Sequence, residues 1–87
     1  MSEGRRPGDA ARDANTALGA AIRKLRERTD LNEGELAARA GLGVDEISAI
    51  EAGELEPTWG DLRRIAAALG VPLPELLARS ERATPKD

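Results

Sequence analysis

Apolar positions recur along this chain at helical rather than alternating spacing, and glycines cut the pattern into segments. Leu18, Ile22 and Leu25, at spacings of four and three, predict an amphipathic helix over about residues 15–28. Asn32 followed three residues on by Glu35 is a capping-box pattern, in which each side chain satisfies the other residue's backbone N–H. It opens a second helix through Leu36, Ala37 and Ala40, which Gly41 closes. Gly43 opens a third helix, with Ile47 and Ile50 facing inward and Gly53 at its end. Thr58 and Asp61 form a second box-like pair ahead of Leu62, Ile65, Ala66 and Leu69, and Gly70 ends that fourth helix. Leu73, Leu76 and Leu77 supply the apolar face of a fifth, with Pro74 suited to the first helical position, where its missing N–H costs nothing. The expected fold is all-α, five short helices over residues 15–79. Residues 1–14 and 80–87 hold hardly any large apolar side chains and are expected to be disordered tails.

Composition narrows the chemistry. A chain of 87 residues predicts one small core and argues against a multidomain enzyme. Ala and Leu, the strongest helix formers, dominate the apolar fraction, with no Phe or Tyr and a single Trp. The absence of Cys and His removes disulfides, Cys/His zinc sites, thiol nucleophiles, imidazole bases and haem ligation by His. No calcium-type Asp-rich loop is present either, so no metal, no cofactor and no enzymatic activity are expected. No stretch approaches the ~20 apolar residues of a membrane span, which leads to the expectation of a cytoplasmic protein without a membrane partner. The net charge of −3 is unevenly spread: residues 1–29 carry +3, residues 62–87 carry +2, and residues 30–61 set Arg39 against nine acids for −8.

Only Leu42 and Gly43 separate the terminal Gly41 of the second helix from Val44. So short a connection forces two amphipathic helices to cross sharply, the helix-turn-helix arrangement. The run from Leu31 to Gly53, with its Leu36-Ala37, Ala40-Gly41, Ile47-Ser48 and Ile50-Glu51, is followed by Pro57 and by Ile65-Ala66 and Ala68-Leu69-Gly70-Val71. In that order and spacing it resembles the lambda-repressor-like helix-turn-helix family of phage repressors and Cro proteins, over about Leu18 to Arg79. The resemblance implies a sequence-specific DNA-binding transcriptional regulator that lays its third helix in the major groove, as a homodimer on double-stranded DNA. It also implies a structural ion pair between Arg26 on the first helix and Glu51 on the third.

By the same resemblance Val44, Asp45, Glu46 and Ala49 are the base-reading candidates. A carboxylate there accepts from cytosine N4, and the Val44 or Ala49 methyls pack on a thymine methyl. Asp45 and Glu46 equally suit the first turn of a helix for its dipole alone, and so does Glu33. Candidates for phosphate contact are Arg23, Lys24, Arg28, Arg39, Arg63 and Arg64, together with Asn32, Glu33 and Thr58 at the helix starts; the bland alternative for each base is a solvated surface. Glu33 stands where the family usually has Gln, and Glu54-Leu55-Glu56 where it is commonly basic. Arg5 and Arg6 fit either a flexible arm or a plain tail, and Trp59 is expected to cover the end of the core. The acidic middle supports a rival reading, an interaction module such as an antitoxin or accessory subunit whose acidic face takes a basic protein partner.

Overall fold

The computed structural model describes residues 7–83, with side-chain environments for 12–81. Among these residues the fold is five helices and no strand: α1 (Pro7–Arg28), α2 (Glu33–Ala40), α3 (Val44–Glu51), α4 (Trp59–Leu69) and α5 (Leu73–Ala83). α1 is the spine, lying against α5 and α3, while α2 packs on both α3 and α4. Every helix sends a fully buried side chain to one centre: Ile22, Leu36, Ile47 with Ile50, Ile65 and Leu76. Burying such a side chain contributes about 1.5–3 kcal/mol, so the small core rests on few residues.

The helix boundaries follow from local chemistry. Asn32 Oδ1 accepts from Glu35 N at 2.8 Å and Glu35 Oε1 accepts from Asn32 N at 2.8 Å, a complete capping box for α2. Thr58 and Asp61 do the same for α4, at 3.0 and 3.1 Å. Gly43 has no side chain, so α3 has only the return half, Gly43 N donating to Glu46 Oε1 at 2.8 Å. Gly41 and Gly70 end α2 and α4 in the left-handed region at φ 71° and 76°, where a Cβ is disfavoured.

Three expectations are corrected. α1 begins at Pro7 rather than near residue 15, so residues 7–14, assigned above to a tail, are helical. Pro7 opens the first turn, where its fixed φ is favourable, and Asp9, Ala10 and Ala11 favour continuation. α5 likewise runs to Ala83, past the expected end at residue 79, and it starts at Leu73, which places Pro74 second. The rest of both expected tails, residues 1–6 with Arg5 and Arg6 and residues 84–87, lies outside the described residues. Trp59, finally, does not cover the core: it is 65% exposed at the first residue of α4, one turn beyond the buried Leu62.

Candidate nucleic-acid interface

Between α2 and α3 the chain turns on Gly41, Leu42 and Gly43 alone. α3 buries Ile47, Ile50 and Glu51, and it exposes Val44, Asp45, Glu46 and Ser48, with Ala49 half-buried beside them. The outward face is therefore a methyl-rich strip with one carboxylate and one hydroxyl in reach of a groove. Glu46 is set apart from the other candidates, because its carboxylate is occupied as the α3 cap by the Gly43 N–H. Asp45 has no partner among the described residues and projects from the first turn.

The inner end of α3 is locked to α1. Arg26 Nε and Nη2 donate to Glu51 Oε2 and Oε1 at 2.7 and 2.9 Å, a bidentate fork. A third donor, Arg26 Nη1, reaches the Leu31 carbonyl at 2.9 Å and so ties in the loop leading to α2. The side chains are only 12% and 3% exposed. Donation to the Glu51 carboxylate raises the Arg26 guanidinium above its already high ordinary pKa, against the opposing effect of burial, with smaller contributions from the charges of Glu51, Glu33 and Glu27. Removing either partner would strand a buried charge, which is how one ion pair fixes the pitch of α3 against the scaffold.

The phosphate candidates divide by what already holds them. Asn32 uses its oxygen for the cap and keeps its two amide donors, whereas Thr58 accepts from Asp61 N and its hydroxyl hydrogen is engaged by the Asp61 carboxylate. Glu33 is half-buried and, as a carboxylate, has nothing to donate to a phosphate; its charge bears instead on Arg26. Arg64 donates to Asp61 Oδ1 at 2.9 Å, and Arg23 faces Glu27 at 3.8 Å on the exposed side of α1. Asp61 is held below the usual carboxylate range, first by the Thr58 backbone N–H, then by the Thr58 hydroxyl and Arg64, with partial burial opposing them. Lys24 and Arg28 line a shallow groove with Glu27 and Arg79, walled by α1 and α5 and containing no residue of α3. Arg39 and Arg63 are exposed on α2 and α4 without a partner among the described residues.

Sequence reasoning passed over two residues that matter here. Ser48 adds the only hydroxyl to the outward strip of α3, and its spacing of three from Asp45 and four from Val44 was the available signal. Gly19 lets α1 touch α3: a methyl built on it would lie 2.5 Å from the Glu51 carbonyl oxygen and closer still to that of Ile50.

Comparison with known proteins converges on the same element. The family profile described as a helix-turn-helix domain matches residues 17–79. The chain is 38% identical over 60 residues to the cryptic phage CTXphi transcriptional repressor RstR of Vibrio cholerae, an alignment covering 69% of this chain and 54% of RstR. It thus spans about half the length of RstR. It is 35% identical over 71 residues to the control protein C.MunI of Mycoplasma sp., covering 80% of this chain and 96% of that one. Among solved structures, the clp gene regulator ClgR from C. glutamicum superposes with a TM-score of 0.80 at 26% identity, over 85% of this chain and 96% of ClgR. The sharp α2–α3 turn, the buried Arg26–Glu51 fork and these matches agree: the chain belongs to the helix-turn-helix domain family, in its lambda-repressor-like group.

Proposed function

We propose that this protein is a DNA-binding transcriptional regulator that inserts the Val44, Asp45, Ser48 and Ala49 strip of α3 into the major groove, as a homodimer on a pseudo-symmetric site. The observation that carries this reading is the locked α3: its inner face is core, its inner end is forked to Arg26, and its outer face is left open. Such an element presents the same side chains to every duplex, which is what base readout needs. Asp45 accepts from cytosine N4, the Val44 and Ala49 methyls meet a thymine methyl, and the Ser48 hydroxyl serves either as donor or acceptor. Asn32 amide donors, the free N–H groups at the start of α2, Arg39 and Arg63 hold phosphates and set the register. A regulator of this kind acts where the DNA is, in the cytoplasm, and needs no cofactor for these contacts.

Charge sets the magnitude. With Arg64 held by Asp61, Arg23 by Glu27, and Lys24 and Arg28 on the α1–α5 side, Arg39 and Arg63 leave about four phosphate contacts per dimer, a slope of log affinity on log salt near −4, and roughly a hundredfold loss between about 50 and 200 mM. The acids of the middle segment lower non-specific affinity further. The test is selection from a randomised duplex library at low salt, followed by anisotropy titrations of the selected duplex against scrambled competitor. A discrete selected sequence, a shallow slope and loss of discrimination in Asp45→Ala are expected. Binding that is steep in salt and indifferent to sequence, or no retention of DNA at all, overturns the proposal; the latter, with a basic protein co-purified, supports the interaction-module reading that the unpaired acids Asp45, Glu54 and Glu56 otherwise favour.

A further inference from the structure

Trp59 is the chain's only aromatic residue, and the fold leaves it 65% exposed at the start of α4. Beside it opens a groove of about 460 Å³ with apolar walls from Leu18, Pro57 and Leu62. The same surface thus carries a large projecting side chain and a recess next to it. Leu55, 39% exposed in the α3–α4 turn, adds apolar area two residues before Pro57. An exposed indole is among the side chains that most often supply the energy of a protein contact, because it is large, rigid and amphipathic.

The polar groups decide what this surface meets. Within the groove Thr58 is occupied by the α4 cap, its oxygen by Asp61 N and its hydrogen by the Asp61 carboxylate, which leaves Asn15 and the charge of Glu56. Glu54 and Glu56 are exposed on the turn, while Arg63 stands one turn beyond Trp59 on α4 and Arg12 one turn before Asn15 on α1, both exposed. None of the four has an ion partner among the described residues. Two acids and two bases cancel, so the surface selects neither a basic nor an acidic partner by net sign. What complements it is the same arrangement turned through a two-fold axis, in which acid meets base, base meets acid, and each indole meets a recess. We propose that this face docks a second copy of the chain: each Trp59 enters the groove of the other copy, and each Glu56 pairs with the partner subunit's Arg63. The proposal rests on the homodimer of the DNA-binding reading and assigns it a surface. An arginine bonded to a carboxylate through one edge keeps further N–H groups for a phosphate, so the pair does not withdraw Arg63 from DNA. The groove contains no residue of α3, and the turn follows α3 directly, so a two-fold axis here joins two reading helices and leaves both outward strips open.

The test is made without DNA, so that failure of base readout does not bear on it. Sedimentation of the full chain over a dilution series should show a monomer–dimer equilibrium, and the emission of Trp59, the sole tryptophan, should shift to the blue as the dimer fills. Trp59→Ala, with its fold checked by circular dichroism, should raise the dissociation constant about thirtyfold, the scale of a central anchor. Glu56→Arg sets base against base at both ends of the contact, and Arg63→Glu sets acid against acid; each should weaken the dimer about tenfold. An equimolar mixture of these two variants should recover the parent's affinity, because every facing pair is again of opposite sign. A chain that stays monomeric up to about 1 mM overturns both the proposal and the homodimer it rests on. A dimer that Trp59→Ala leaves intact overturns this surface alone, and so does a mixture that associates no better than its components. Emission that responds to added duplex DNA but not to protein concentration assigns the groove to nucleic acid and overturns the proposal as well.

Discussion

Gly19→Ala is the sharpest test of how this fold positions its reading helix. On helix propensity alone the change should stabilise α1 by about 0.8–1 kcal/mol. The structure places the last turn of α3 in the way: the new methyl would lie 2.5 Å from the Glu51 carbonyl oxygen and 2.8 Å from the carbonyl carbon. Ordinary carbon–oxygen contact needs roughly 1 Å more, and backbone atoms, unlike the tip of a flexible side chain, yield only if α1 and α3 move apart. Overpacking of this kind costs about 1–3 kcal/mol. The same separation stretches the Arg26–Glu51 fork, now 2.7 and 2.9 Å, and breaking a buried pair costs about 3–5 kcal/mol. With partial loss of the fork and the propensity gain subtracted, the net is about 2–4 kcal/mol, or a fall in melting temperature of roughly 10–25 °C for a domain this size. Thermal unfolding followed by far-UV circular dichroism measures it, with Gly60→Ala as the control. There the nearest atom to the added methyl is Thr58 Oγ1 at 3.7 Å, so the midpoint should hold or rise by a few degrees. A Gly19→Ala protein as stable as the parent would refute the close α1–α3 approach and with it the account of how α3 is held.

Other perturbations separate the remaining parts. Glu51→Ala should cost about 3–5 kcal/mol by stranding Arg26, and Glu54→Ala less than ~0.5 kcal/mol, in urea titrations of both. Gly53 and Gly70 both have positive φ, at 78° and 76°, but only at Gly53 would a methyl also meet Thr16, 2.9 Å from its Cα; Gly53→Ala should therefore lower the urea midpoint more than Gly70→Ala, whose cost is the left-handed backbone alone, about 1–2 kcal/mol. The Asp61 pKa is lowered in the folded state, so its stabilisation is present above the unfolded value and lost as pH falls through the folded one. The stability difference between parent and Asp61→Asn should accordingly shrink between about pH 5 and pH 2, and a constant difference would show that the Thr58 cap does not depend on the carboxylate charge.

What could be read from the residues was mostly what neighbours in sequence decide. Asn32 with Glu35 and Thr58 with Asp61 close their hydrogen bonds within one turn, so the starts of α2 and α4 are legible from four residues each. The ends at Gly41 and Gly70 are legible because glycine alone adopts their backbone freely. The Arg26–Glu51 pair is different: its partners are 25 residues apart, and only the family resemblance connected them. Residues 7–14 read as tail for want of large apolar side chains, although a proline in the first turn is also a helix start, and composition does not decide between the two. Trp59 sits three residues before Leu62, at a position the family resemblance assigns to the core, but neither the resemblance nor the spacing says where the core ends along the helix. Gly19 was silent for a related reason: a missing side chain acquires meaning only once the opposing backbone is known.

The acidic middle segment, which from sequence alone argues against DNA, takes on another character once its carboxylates are placed. Of the nine acids between residues 30 and 61, Glu35, Glu46 and Asp61 accept backbone N–H groups at the starts of α2, α3 and α4, and Glu51 is neutralised by Arg26. Those four are set by the demands of short helices, each of which must satisfy its first N–H groups without help from length. They remain negative towards a distant phosphate, except where paired, but none of the four was free to be anything else without loss of a cap or of the fork. The acids without such a task near the reading helix are Asp45, Glu54 and Glu56. Asp45 lies on the outward strip of α3 proposed to meet bases, while Glu54 and Glu56 stand exposed in the turn that follows α3. Weak attraction to phosphates then costs affinity for every duplex alike, whereas a contact from Asp45 to a base is gained at one sequence only. On this account the chain's acidity lowers the background against which a specific site is chosen, and discrimination rests on α3 rather than on the number of arginines around it.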